Sequence, residues 1–86
     1  MLHRYWFTFH DEQCVRFGLG QGCGVTALNL NDAVGLLEQH VFGGPLPFAV
    51  ASVTEDVDVS SLDPGHVLPN MLPPNWRGIW YPMGYT

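Results

Sequence analysis

Residues 3–10, HRYWFTFH, alternate: Tyr5, Phe7 and Phe9 share one face, and Arg4, Thr8 and His10 lie with Trp6 on the other. Period-two alternation with aromatic enrichment predicts a β-strand with one face fully buried. DEQC at 11–14 supplies a polar bend. Beyond it, RFGLGQGCGVTALNL places glycine at 18, 20, 22 and 24, every second position. In an extended chain all four would point to one face. Glycine so placed marks a bend, a bulge, or close approach by a ring or a neighbouring backbone. The pattern predicts a loop or distorted strand over 16–22 and a second strand over 23–30, antiparallel to the first.

The period then changes. In NDAVGLLEQHVF, residues 31–42, Ala33, Leu36, Leu37, His40 and Val41 fall on one helical face with Val34 beside it, and Asp32, Glu38 and Gln39 lie opposite. Asn31 is a suitable N-cap, with Asp32 well placed for the helix dipole. GGP at 43–45 offers a left-handed C-terminal glycine and a proline that cannot continue the helix. Gly35, mid-helix, suggests close helix–sheet contact, since glycine there costs about 1 kcal/mol relative to alanine. His40 reads as a packed histidine near the helix C-terminus.

Alternation returns in FAVASVTEDVDVS, residues 48–60. Val53, Val57 and Val59 share a face with Ala49 and Ala51, and Ser52, Thr54, Asp56, Asp58 and Ser60 share the other. This predicts a long strand with one solvated, acidic face, and Glu55 marks a bulge or an edge. Residues 61–76 carry four prolines and read as turns, before a short final strand over 77–81. The order ββαββ predicts an α+β fold: a small two-layer sandwich of mostly antiparallel sheet with one helix on one face. Residues 1–86 are expected to form a single domain.

Composition narrows the function more than the fold. The chain is 47% apolar and only 13% charged, with eight acids, three arginines, no lysine and a net charge of −5. A nucleic-acid binder needs several cations to displace phosphate counterions, so no nucleic-acid partner is expected. No membrane association is expected either, for the same reason. The missing lysine removes a P-loop phosphate ligand, a Schiff-base amine and a Ser–Lys dyad. No apolar run has the length of a membrane span or the form of a signal peptide, which predicts a cytoplasmic protein with Cys14 and Cys23 as thiols.

The most site-like stretch is LDPGHVLPN, residues 62–70. DPGH has the residue types of a type II turn, with Asp63 and His66 at its ends. A carboxylate–imidazole pair there would orient a general base, and Asn70 would complete a triad-like set. Turn chemistry alone also accounts for every residue type present. GLGQGCG lacks the offsets of a dinucleotide fingerprint. Cys and His lack the paired spacing of a zinc site. No cofactor or metal is therefore expected.

Two functions follow. The first, preferred, is a small acidic non-catalytic protein binding a basic protein partner. Its general character, though no matched motif, suits an immunity protein or an antitoxin-like inhibitor of a nuclease toxin. Glu55, Asp56, Asp58 and Asp63 would supply charge, and Trp76, Arg77 or Trp80 an anchor, since Trp, Tyr and Arg dominate binding hot spots. The same aromatic residues equally suit closing a small core, which a domain of this size favours. The second is a small enzyme or ligand-binding protein using Asp63, His66 and Asn70, with or without a metal. A homodimer through an unprotected strand edge is compatible with either.

Overall fold

The computed structural model describes residues 1–47 and 49–85. Its chain forms β1 (His3–Phe9), β2 (Cys23–Ala27), α1 (Leu30–Leu37), β3 (Val50–Glu55) and β4 (Gly78–Tyr81), joined by short helical turns. The four strands make one antiparallel sheet in the order β3-β1-β2-β4. The expected α+β architecture is present, with the helix on one face. Phe48, the first residue of the strand predicted over 48–60, lies outside the described residues.

The helix packs Ala33, Leu36 and Leu37 onto Tyr5, Phe7, Cys23, Val25 and Ile79, the inward side of the sheet. Its N-cap is Asn29 rather than Asn31. The Asn29 side chain accepts the Asp32 N–H at 2.8 Å, and the Asp32 carboxylate accepts the Leu28 N–H at 2.9 Å. That reciprocal pair satisfies exposed donors at the helix start and sets its first turn two residues early. After Leu37 the helix widens into a π turn, Glu38–Phe42, closed by Gly43 at φ 68°. The wider turn breaks the 3.6-residue period. Val41 stays buried, but His40 is exposed instead of packed. Gly35 is also exposed, with nothing within 4 Å of where a Cβ would stand, so no close helix–sheet contact explains it.

The opposite face of the sheet is covered too. Trp6, Trp80 and Tyr81 form a second core with Val57, Leu62 and Val67 from the irregular segment 57–76. The one-residue bulge opposite Gly24 and Val25 makes Trp80 an extra residue in β4, so Trp80 and Tyr81 both reach this core. Two glycines make room for the rings. A Cβ at Gly22 would lie 2.6 Å from the Trp6 ring, and one at Gly24 would lie 2.5 Å from the Trp80 ring. Ring approach is therefore the role of Gly22 and Gly24. Gly18 instead ends a 3₁₀ helix, Glu12–Phe17, that Asp11 caps by accepting the Gln13 N–H. Residues 12–17 are thus helical where a bend followed by a loop or distorted strand was expected.

The long acidic-faced strand does not form. β3 stops at Glu55, because Asp56 adopts a left-handed φ of 53° and the Val57 N–H turns in to Arg4 O. Aspartate tolerates that conformation better than most side chains. Glu55 does lie on an edge strand, as expected. Cys14 and Cys23 are free and buried, and burial pushes the Cys23 thiol pKa well up. Among the described residues no helix is long and apolar enough to cross a membrane.

Candidate functional site

The LDPGHVLPN corner is built by Asp63. Gly65 lacks the positive φ of a type II turn, and the Val67 N–H donates to Asp63 O at 2.9 Å, closing a helical turn instead. Asp63 acts as its N-cap and Pro64 occupies the first position, where proline is favoured. Asp63 Oδ1 accepts the N–H groups of Gly65 and His66, and Oδ2 accepts from His66 Nδ1 at 3.1 Å. The Gly65 N–H first and the imidazole second hold the Asp63 carboxyl below the usual range. The carboxylate–imidazole pair is therefore made. Asn70 does not join it as a third member: its side chain donates to the His66 backbone carbonyl at 2.9 Å. The His66 ring, 67% exposed, stands in solvent.

Chemistry gathers elsewhere, at the end of the sheet where β1 and β4 begin and β2 and β3 finish. The register His3↔Ala27, Tyr5↔Glu55 and Thr26↔Gly78 brings these termini together. His3 Nδ1 donates to Asp56 Oδ1 at 2.9 Å and lies 3.8 Å from Glu55 Oε1. One donor atom from each of these three residues falls within 4.8 Å of the others, a spacing that would admit a cation. Beside them, Leu2, Arg4, Thr26, Asp56, Pro74 and Asn75 line a cavity of about 320 Å³. Thr26 Oγ1 donates to Pro74 O at 2.6 Å, which pins the segment leading to Trp76 against the sheet.

Arg77 grips Asp32 through Nε at 2.9 Å and Nη2 at 2.5 Å. This forked contact holds the Asp32 carboxyl down to about 2, with the Arg77 hydrogen bond the largest cause and the Leu28 N–H the next. The Arg77 charge is therefore spent within the chain. Trp76, one residue earlier, is 75% exposed.

The residues expected to meet a partner thus separate. Glu55, Asp56 and Trp76 are exposed near this end. Asp58 caps the next turn through the hydroxyl and N–H of Ser60, which pull its carboxyl pKa down. It lies in the loop layer with Asp63, not on a strand beside Asp56. Trp80 is 1% exposed and belongs to the second core, so it offers no anchoring surface. Arg4 and Asn75 escaped sequence reasoning, and His3 entered it only as one of the scattered histidines without the paired spacing of a metal site. Only strand pairing joins His3 to Glu55 across the chain, and no local spacing signals it. Comparison with family models, with curated proteins and with solved structures finds no match.

Proposed function

We propose that the protein is a small acidic interaction protein that binds a basic protein partner at this end of the sheet, in the manner of an immunity protein or an antitoxin-like inhibitor of a nuclease. The observation that carries this reading is the exposure of Trp76 at the β4 edge of this end of the sheet, with Glu55 and Asp56 exposed at its β3 edge and Asp56 and Asn75 lining one cavity between them. A large indole left in water is an energetic cost for a monomer and an anchor for a complex. Carboxylates on the same end of the sheet steer a cationic partner towards that end and select against acidic ones. The net charge of −5 adds a long-range field of the same sign.

The test is affinity capture of the tagged protein from its native cell, followed by kinetics with the purified partner. The expected result is a stoichiometric basic protein. Its association at low salt should slow by about tenfold or more for Glu55→Lys combined with Asp56→Asn. Trp76→Ala should chiefly speed dissociation. An unchanged association rate in the charge variant, or a captured partner that is acidic, would overturn the proposal.

A further inference from the structure

The two edges of the sheet are finished differently. On the β4 side, the Leu72 N–H donates to Trp80 O at 2.8 Å, so the chain itself lies along that edge. On the β3 side, among the described residues, no backbone hydrogen bond runs outward from Val50–Glu55 to another segment. Residues 52–55 are all exposed. A bare row of N–H and C=O groups is a template for another strand, and proteins usually protect it with lysine, proline or a short strand. β3 has neither lysine nor proline; its one irregularity is the extra residue Ala51 near its start and its single charge is Glu55 at its end, which leaves Ser52–Thr54 between them open.

We propose that β3 pairs antiparallel with β3 of a second copy, joining two four-stranded sheets into one continuous sheet about a two-fold axis at Val53. The choice of a second copy rests on the self-complementarity of the strand. In an antiparallel ladder, directly opposed residues either both point their hydrogen-bonding groups at each other or both point them away. A two-fold pairing therefore sets one residue against itself. With Val53 at the axis, Val53 meets Val53, Ser52 meets Thr54 and Ala51 meets Glu55. This covers a valine that is 39% exposed beside Phe7, sets hydroxyl against hydroxyl on the other face, and opposes no carboxylate to a carboxylate.

The alternative axis at Ser52 opposes Ala51 to Val53. Ala51 is the extra residue where the β1–β3 register shifts, so that axis sets the irregularity beside the centre of the ladder. Charge does not forbid the Val53 register. The two Glu55 residues would lie about 13 Å apart along the strands, beyond a Debye length of about 8 Å at physiological salt. An edge this short buries less surface than a standard interface, so the dimer is weak and dissociates on dilution.

The experiment is sedimentation equilibrium of the whole chain from about 10 µM to 1 mM, bracketing weak association. Average mass should rise towards that of a dimer, and Val53→Lys should stay monomeric with an unchanged melting temperature. Under mild oxidation Val53→Cys should cross-link to itself, because directly opposed Cα atoms lie about 4.5–5.5 Å apart. Ser52→Cys should do so far more slowly. Cys14 and Cys23 are buried and leave the introduced thiol as the accessible one. A monomer at every concentration would overturn the proposal, as would a dimer that survives Val53→Lys or faster cross-linking at Ser52→Cys.

Discussion

A methyl group at Gly24 would sit 2.5 Å from the six-membered ring of Trp80, itself buried in the second core. The ring cannot retreat without disturbing Trp6, whose centroid is 5.8 Å away. Gly24→Ala should therefore destabilise the fold by about 1–3 kcal/mol, the usual cost of overpacking. Gly35→Ala should do the reverse. Its site is open and helical, so alanine's propensity is worth about 0.5–1 kcal/mol, or roughly 2–8 °C in melting temperature. Paired denaturant melts check both, and equal signs would contradict the ring placement. The glycine alternation signalled ring approach but could not say which glycines supply it. That depended on where Trp6 and Trp80 fall in the assembled sheet. The same limit applies to His66: its bond to Asp63 is legible in DPGH, whereas its open surroundings are a property of the folded surface.

Among the elements, the helix start carries the clearest electrostatic link. Asp32 joins α1 to the start of β4 through Arg77, and its carboxyl titrates at about 2 in the fold against an ordinary 3.8. A carboxyl depressed by folding stabilises the native state above its unfolded pKa and ceases to do so as pH falls through its folded one. Stability should thus decline as pH drops from 3.8 towards about 2. Asp32→Asn should flatten this part of the acid limb, as urea melts across the window will reveal; an identical slope would mean that the pair does not couple to folding. The helix itself was legible because its apolar face repeats with the right period. Its π turn was not, so His40 is misassigned by any strict 3.6-residue projection. The 12–17 helix had a signal too, in Asp11, Glu12, Arg16 and Gly18, but it is a capping pattern without an apolar stripe to draw attention to it.

For the molecule as a whole, the two proposed associations respond oppositely to salt. A basic partner is drawn by opposite charge, so its association slows as salt screens the field. Two copies at −5 each repel, so the β3-paired dimer should strengthen as ionic strength rises. Sedimentation and stopped-flow measurements over the same salt series separate the two, and parallel trends would contradict one of them.

The element order, helix, antiparallel pairing and acidic balance follow from the sequence because periodicity and charge are local or additive properties. Tertiary structure alone decided the rest. It brought His3 to Glu55 and Asp56 through strand register, ended β3 before Asp56, and buried Trp80 while leaving Trp76 in water. Those outcomes depend on which distant segments compete for the same surface: residues 57–76 fold over the second face of the sheet and occupy the side where a solvated acidic strand was expected.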